Sequence, residues 1–528
     1  IVLYANAMTN AFVSDDIFVI VDREDTFKTF EYFLIHPTVL LRNIQYFFAY
    51  HLGGLNPFLF RLPNVLFHIG FVSMVYLVMP FFSKKKYLPF IVALLAAVHP
   101  MMVESVTWIS GGIYAQAGFF TMLSFYFYLQ ARSSQLPRPY YYSLLTFLIA
   151  VSSSEKTIIF PFIILLYEFT FGFLKGAWKR IGAYFLIAFL WGLMLLGRVN
   201  ERLEYLQVTN GADSKFQFNN PFVQVPVALS KYFELFAWPD KLTLYQSEYA
   251  LNPFQFTVRA GITILFFFII ARSYKTNKAV FFWLTFFFIT LLTTLNPFGL
   301  SWIVAERYSY LGSIGLYFGF AVLLYTIIDR KKYQMLGYSI LIVVVLGLSA
   351  RTIIRNIEWH NEDTLWVSTA RVSKADPKTH NNMGDVYSRK GDLENAAKSF
   401  EKALQLNPTY PDATHNLANI YRMQGKIDEA INLYKRAIEL NPSIWQSHLN
   451  LAAIYYDRQE YALSKEHANA ADKLHPNDPQ ILANLGLILL TGGEPAEARS
   501  YFDRTLQLDP QNQIALQGIA AISSTTSP

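Results

Sequence analysis

Residues 411–442 read PDATHNLANIYRMQGKIDEAINLYKRAIELNP, and this stretch decides the fold of the C-terminal part of the chain. Small and aromatic residues alternate along it at fixed positions: Ala418, Tyr421, Ala430, Tyr434 and Ala437, before the closing Pro442. Small residues let two helices approach closely, and the aromatic residues fill the space to a neighbouring unit. The pattern therefore predicts a pair of packed helices.

The same pattern recurs with a period of 34 residues, marked by Pro408, Pro442, Pro476 and Pro510. The corresponding positions are Gly384, Tyr387, Ala396, Phe400 and Ala403 in the first unit, Ala452, Tyr455, Ser464, Ala468 and Ala471 in the third, and Gly486, Leu489, Ala498, Phe502 and Thr505 in the fourth. This period and pattern are typical of tetratricopeptide repeats. The sequence predicts an α-solenoid of four repeats over 377–510, with a capping helix and tail over 511–528. Such arrays bind extended peptides or protein partners in a concave groove, although the groove could instead belong to a scaffold that dimerises or docks another subunit.

The charge of the chain is divided unevenly. Residues 1–350 hold 26 Lys and Arg against 17 Asp and Glu, a net of +9, whereas 351–528 hold 18 against 21, a net of −3, which together give the overall +6. Only 16% of the 528 residues are charged and 53% are hydrophobic, against about 25% charged in soluble proteins. This composition excludes a disordered chain, argues against a purely soluble one, and makes the basic excess a matter of membrane topology rather than nucleic-acid binding. The absence of cysteine excludes disulfides and thiolate sites.

Apolar runs predict a polytopic, all-α membrane domain over 1–350, followed by a connector over 351–376. The stretch Ile1–Val13 is too short for a span, which needs about 20 residues, and is interpreted as the visible end of a first one. Ten further spans bring the number to about 11: 56–80, 87–100, 113–130, 140–152, 157–174, 181–197, 255–271, 279–295, 313–328 and 335–350.

Five short loops between these runs carry 14 basic residues and one acidic residue, counted at 84–86, 132–138, 175–180, 272–278 and 329–332. By the positive-inside rule these loops are cytoplasmic. The loops 14–55, 99–112, 152–156, 198–254 and 296–312, and the repeats, then fall on the outer side. The amphipathic stretches Thr26–Leu34, Leu40–His51 and 221–239 are predicted to lie in the outer membrane interface or to be re-entrant.

Ionisable residues at the ends of spans are candidates for function, because a membrane domain has few reasons to keep them. On the predicted outer side they are Asp15, Asp16, Arg61, His68, His99, Glu104, Glu155, Lys156, Glu306 and Arg307. A carboxylate can deprotonate an acceptor hydroxyl, and cations can stabilise a departing phosphate. The set therefore suits transfer from a lipid phosphate.

Each of these residues also has a structural interpretation. Asp15 and Asp16 could cap a helix, Glu104 could be a solvated loop acid, and His99 could end a span. Glu155 with Lys156, and Glu306 with Arg307, could be local ion pairs, Arg61 could extend to the interface, and His68 could make an interhelical hydrogen bond.

Taken in order, the motifs resemble those of the transmembrane and tetratricopeptide-repeat O-mannosyltransferases, which belong to the class C (GT-C) glycosyltransferase superfamily. They are the first-loop acidic pair, Asn56–His68 (NPFLFRLPNVLFH), His99–Gly111 (HPMMVESVTWISG), Ser154–Lys156 (SEK) and Ala305–Gly315 (AERYSYLGSIG), followed by the repeats. The resemblance extends through nearly the whole chain.

The resemblance implies an integral-membrane enzyme that takes a monosaccharide, mannose or another hexose, from a polyprenyl-phosphate donor to protein Ser/Thr hydroxyls. One residue of the acidic pair is implied as catalytic base, with Asp16 preferred to Asp15. Lys156 and Arg307 are expected to hold the lipid phosphate and Glu104 to support the sugar or acceptor, while His99, Glu155, Glu306 and Arg61 are further candidates for the donor site.

Two alternatives stay open from the sequence: a non-catalytic membrane-anchored scaffold within a larger complex, and a transferase that acts on a glycan or lipid acceptor. A bacterial inner membrane is the expected location, with the repeats in the periplasm or outside, and the absence of Asn-x-Ser/Thr acceptor sites favours a bacterial source. The expected partners are the lipid-linked sugar, membrane lipids and an acceptor or partner protein, with no nucleic acid. Adjacent carboxylates can bind Mg²⁺ or Mn²⁺, but no metal site is predicted because no third ligand stands nearby.

Overall fold

The computed structural model describes residues 2–30, 39–172, 176–210, 220–244, 246, 252–295 and 303–525, with side chains left out at 198–210 and 525. The end of the predicted stretch Thr26–Leu34, residues 211–219, 245 and 247–251 of the loop 198–254, and the start of the loop 296–312 lie outside these residues. The described residues form helices and turns, and none of them forms a β-strand. The chain divides into two compact units, the first ending at Lys374 and the second covering the repeats from Ala375.

Eight of the fourteen α-helices described in the first unit have proline at one of their first two positions or follow an Asn cap, since proline tolerates the first helical turn and Asn accepts a free backbone N–H. Its α-helices are α1 Leu40–Gly53, α2 Pro57–Val78, α3 Leu88–Val98, α4 Val103–Val106, α5 Gly112–Ser134, α6 Pro137–Ser153, α7 Phe160–Phe171, α8 Trp178–Asn210, α9 Pro221–Ala237, α10 Pro253–Thr276, α11 Lys278–Leu291, α12 Ile314–Ile328, α13 Gln334–Glu358 and α14 Glu362–Val372. Short 3₁₀ helices at Val2–Ala7, Glu155–Ile159 and Glu306–Ser309 lie between them.

Fewer helices can cross a membrane than the eleven spans predicted. Among the described residues, four helices are long and apolar enough: Pro57–Phe81, Trp178–Gly197, Pro253–Thr276 and Lys331–Glu358. A fifth results if α3 and the segment Pro100–Val106, bent by 58° at His99, count as one span. Several other predicted spans are helices of 11 to 17 residues, such as α6 with 17 and α7 with 12, shorter than a bilayer of about 30 Å requires.

The predicted first span also differs from the structure. Residues 2–7 form a 3₁₀ helix. The Asn6 amide in this helix and the Asn10 amide just after it donate to the carbonyl oxygens of Ile353 and Asn356 in α13, at 3.1 and 2.8 Å. This segment therefore packs onto the protein through polar contacts, which an apolar run alone did not predict.

The two remaining amphipathic stretches are helices, as expected. Helix α1 buries Asn43, Tyr46 and Ala49 on one side and exposes Phe48 and Leu52 on the other. The stretch 221–239 forms helix α9, which is not among the helices long and apolar enough to span.

The second unit confirms the repeat prediction. Its helices are α15 Pro377–Arg389, α16 Leu393–Leu406, α17 Pro411–Met423, α18 Ile427–Leu440, α19 Trp445–Asp457, α20 Tyr461–Leu474, α21 Pro479–Thr491, α22 Pro495–Leu508 and α23 Gln513–Thr525. The small positions allow close approach, since a Cβ atom at Gly384 would lie 2.5 Å from the Phe400 ring. Phe400, Tyr434 and Phe502 are buried, as the aromatic positions require.

Candidate functional site

Two cations from distant parts of the sequence line one cavity of the first unit. Lys156 lies in the 3₁₀ helix Glu155–Ile159, which Ser154 caps by accepting from the Lys156 N–H at 3.5 Å. Arg307 lies in the 3₁₀ helix Glu306–Ser309. The cavity is also lined by Tyr114 and Tyr308 and has a volume of about 30 Å³. That is room for one or two waters, so a sugar phosphate requires the lining side chains to shift.

The ring of Tyr308 lies against both cations. The Lys156 Nζ atom is 3.0 Å from the centre of this ring and 5.2 Å from that of Tyr114. The Arg307 guanidinium carbon is 4.9 Å from the Tyr308 centre and 5.5 Å from that of Trp108. Aromatic faces attract cations, so the Tyr308 ring stabilises both the Lys156 ammonium and the Arg307 guanidinium beside it.

Glu104 fixes Arg307 from the other side. The Glu104 carboxylate is fully buried, forms an ion pair with the Arg307 guanidinium and accepts the Arg307 backbone N–H at 2.8 Å. The Arg307 side chain is only 11% exposed. The expectation of a solvated Glu104 is therefore wrong, and this buried pair joins the 99–112 loop to the 303–309 segment.

The acidic pair of the first loop is split between two environments. Asp16 is fully buried, and its Oδ1 accepts from the Ser110 hydroxyl at 2.6 Å and the Ser110 N–H at 2.8 Å, while its Oδ2 accepts from the Val13 N–H at 3.3 Å. Burial raises the pKa of the Asp16 carboxyl to about 6, although these hydrogen bonds and Arg61 act in the opposite direction. Asp15 is exposed.

Arg61 connects the same two loops. Its guanidinium donates to the carbonyl oxygens of Thr107 at 2.6 Å, Asn10 at 2.8 Å and Ala11 at 2.9 Å. The residue is fully buried, so the expectation that Arg61 extends to the interface is wrong.

His68 and His99 have structural partners. The His68 imidazole of α2 is 2.8 Å from the hydroxyl of Tyr310. Tyr310 lies in the turn before α12, so the expected hydrogen bond of His68 is present but joins a helix to a turn rather than two helices. The His99 ring accepts the Met101 N–H at 3.3 Å, lies 3.1 Å from the Phe236 carbonyl oxygen and stacks on the Phe236 ring. His99 therefore shapes the bend after α3.

Glu306 belongs to a second buried cluster. One of its oxygens accepts the Thr243 N–H at 2.6 Å and the Arg355 guanidinium at 3.1 Å. Arg355 also pairs with Glu358 at 2.7 Å. Burial raises the pKa of Glu306. These contacts take the place of the ion pair with Arg307 that the sequence suggested for Glu306.

Glu155 precedes Lys156 in the chain, and its side chain is exposed.

Sequence reasoning missed several residues of this region. Tyr308, Tyr114 and Trp108 are aromatic, whereas the predicted candidates were Asp, Glu, Lys, Arg and His side chains. Tyr308 and Trp108 nevertheless lie inside the quoted motifs. Arg355 was missed because it lies beyond the last apolar run. Within the described part of the chain, no group of three or more His, Asp or Glu residues could hold a metal ion.

The fold and the site define a helical chain with apolar, membrane-length helices, a cavity lined by two cations, and a tetratricopeptide array. The tetratricopeptide repeat profile matches residues 377–443, 415–479 and 449–513. The chain is similar to two relatives named protein O-mannosyl-transferase TMTC3, with 26% identity to the Homo sapiens protein over 475 residues and 24% to the Mus musculus protein over 471. Each alignment covers 77% of this chain and 50% of the relative, so the chain spans about half the length of the curated relatives it matches.

Among solved structures, two are reported as similar to part of the chain. The crystal structure of MamA is 21% identical and covers 28% of this chain and 87% of its own, with a TM-score of 0.26. The structure of YrrB, described as a TPR protein with an unusual peptide-binding site, is 21% identical and covers 30% of this chain and 82% of its own, with a TM-score of 0.28.

Proposed function

We propose that the protein is a membrane glycosyltransferase of the GT-C type that moves a hexose, such as mannose, from a polyprenyl-phosphate donor to Ser/Thr hydroxyls of an exported protein. The observation that carries the proposal is the meeting of Lys156 and Arg307 at one cavity. The names of the relatives, which match 77% of the chain, support the reaction type.

The proposed site suits the charge changes of this reaction. The bond between the anomeric carbon and the phosphate oxygen breaks, a bond from that carbon to the acceptor oxygen forms, and the acceptor proton passes to a carboxylate. Negative charge grows on the departing lipid phosphate, where preorganised cations stabilise the transition state. Lys156 and Arg307 fill this role, with Glu104 and the aromatic rings fixing Arg307.

We assign the base to Asp15 rather than to Asp16. Asp15 is exposed and can meet an acceptor hydroxyl, whereas Asp16 is buried and accepts three hydrogen bonds. Asp16 then fixes the turn that presents Asp15. Arg61 and His99, which contact backbone carbonyls, shape the loops around the site, and Glu155 lies at its exposed edge.

The proposed reaction takes place on the outer side of the membrane, which in a bacterium is the periplasmic side of the inner membrane. The basic loops then face the cytoplasm, and the repeats recruit the acceptor or a partner protein. No metal is part of the proposed step.

A photoreactive polyprenyl-phosphate analogue tests the donor site. The purified full chain is irradiated with the analogue, and labelled peptides are identified by mass spectrometry. Labelling is expected on the peptides that contain Tyr114, Lys156 and Tyr308. The substitution Lys156→Gln is expected to reduce the labelling of these peptides. Labelling confined to the exposed apolar helices, unchanged by this substitution, would overturn the assignment.

A further inference from the structure

The last two turns of α13 contain polar side chains that are fully buried. Thr352, Arg355 and Asn356 are each 0% exposed. The Thr352 hydroxyl donates to the Val98 carbonyl oxygen at 2.7 Å, where α3 ends. The same turns expose Ile353, Ile354 and Ile357 on another side, and each of the three buried polar side chains contacts a different segment of the first unit.

Asn356 connects residues 3–10, which precede the acidic pair, to the 99–112 loop. Its amide donates to the Leu3 carbonyl oxygen at 2.7 Å and to Asn6 at 2.9 Å, and its side-chain oxygen accepts from the Thr107 hydroxyl at 2.7 Å. Its backbone carbonyl accepts from the Asn10 amide at 2.8 Å. Asn356 thus joins the first segment of the chain to the 99–112 loop without contacting the cavity.

Arg355 holds the segment that presents Arg307. Its guanidinium pairs with Glu306, the residue before Arg307, at 3.1 Å. It also lies 5.6 Å from the Trp359 ring, which stacks 5.8 Å from the ring of Trp108, a neighbour of Arg307. Arg355 is therefore connected to Arg307 through Glu306, and also through the rings of Trp359 and Trp108.

We propose that Arg355 and Asn356 are positioning residues for the transfer reaction: Arg355 places Arg307 at the donor phosphate through Glu306, and Asn356 places residues 3–10, which lead into the acidic pair, against the 99–112 loop. This inference rests on the proposed function. A buried ion pair contributes little net stability compared with apolar residues of similar volume. A contribution to stability alone therefore does not explain why the protein buries the Arg355–Glu306 pair. A displacement of about 1 Å at a reacting group can cost about 10²-fold in rate.

The test separates donor binding from turnover. Arg355→Gln is expected to raise the KM for the polyprenyl-phosphate donor about tenfold or more, the effect of losing a charge-assisted contact, whereas Asn356→Ala is expected to lower kcat with a smaller change in KM. Arg355→Lys keeps a cation beside Glu306, so its donor KM is expected to lie between those of Arg355→Gln and the wild type. If Arg355→Gln does not fold, the double variant Glu306→Gln with Arg355→Gln removes both charges and is expected to show the same raised KM.

The matched control is Arg132→Gln, since Arg132 pairs with the buried Glu168 at 2.7 Å and contacts none of the site residues. This control is expected to lower Tm while leaving KM and kcat unchanged. If the Arg355 variants lower Tm but leave the donor KM at the wild-type value, as this control does, the inference is wrong while the proposed function stands. A wild-type protein that neither binds the donor nor transfers sugar would overturn both.

Discussion

At the scale of residues, Lys156 and Arg307 differ in how the protein fixes them. Arg307 is neutralised by a buried carboxylate, whereas Lys156 lies against the rings of Tyr308 and Tyr114. The two cations are therefore expected to contribute differently to stability and to donor binding, and each can be tested separately.

Replacement of Lys156 by Gln is expected to weaken donor binding. A hydrogen bond to a charged group contributes about 1.5–3 kcal/mol, which corresponds to a loss of affinity of about 10- to 100-fold. The measurement is binding of a fluorescent polyprenyl phosphate to the purified chain. Lys84→Gln, at an exposed lysine of a basic loop, is the control and is expected to bind as the wild type does.

Replacement of Arg307 by Met is expected to destabilise the fold, because it leaves Glu104 buried and charged. Breaking a buried pair in this way costs about 3–5 kcal/mol. The double variant Glu104→Gln with Arg307→Met removes both charges and is expected to recover most of the lost Tm while remaining inactive. Equal Tm values for the single and double variants would show that the pair does not join these segments.

The buried Asp16 carboxyl predicts a pH dependence of stability. Its pKa is raised from 3.8 to about 6 by burial, so folding favours the protonated form. The stabilising contribution is present below pH 4 and is lost as the pH rises through about 6. The Tm of wild type relative to Asp16→Asn is therefore expected to fall between pH 4 and 7. Parallel curves for the two proteins would contradict the burial of this group.

The sequence named candidate side chains but did not predict the direction in which each one points. Lys156 and Arg307, both taken from outer-loop motifs, line one cavity, while their role at a donor phosphate stays a prediction. The contrast between Asp15 and Asp16 could not be predicted, since adjacent residues of a turn face opposite ways and Ser14 adopts a positive φ of 56°. The contacts of Arg355 depend on tertiary packing that no local pattern encodes.

At the scale of elements, the repeats follow their sequence closely because each small position has a direct geometric cause. The Phe502 ring lies between Gly486 and Gly518, and a Cβ atom at these positions would come within 2.5 and 2.3 Å of it. The period and the small-aromatic pattern were therefore sufficient to predict these helices.

Gly486→Leu is expected to destabilise the last repeat and its capping helix by about 1–3 kcal/mol, the usual cost of overpacking. Hydrogen exchange of the full chain is expected to show faster exchange in α21 to α23. Ser500→Leu, at an exposed position of α22, is the control and is expected to leave exchange unchanged. Equal protection in both variants would show that the close approach at Gly486 is not required.

The membrane helices were predicted less well. Apolar runs located helices such as α2 and α10, but hydropathy does not distinguish a span from a short buried helix when breaks such as His99-Pro100 interrupt the run. The helices α6, α7, α11 and α12 are shorter elements, and α5, with 23 residues, is long enough but not apolar enough. Among the described residues, four or five helices are therefore both long and apolar enough to span.

At the scale of the whole molecule, the absence of native cysteine makes the proposed topology testable by single-cysteine labelling. Lys86→Cys in a basic loop and Lys402→Cys in the repeats are both exposed positions. In intact cells, a membrane-impermeant maleimide is expected to label Lys402→Cys and to label Lys86→Cys only after the membrane is opened. Labelling of both positions from the same side would contradict the proposed sidedness.

Transfer of labelled mannose from polyprenyl phosphate to a Ser/Thr peptide by the purified chain tests the central claim most directly. Wild type is expected to transfer the sugar, while Asp15→Asn and Lys156→Gln, each with a wild-type Tm, are expected to lose most of the activity. Undiminished transfer by both variants, or no transfer of any hexose by wild type, would contradict the account.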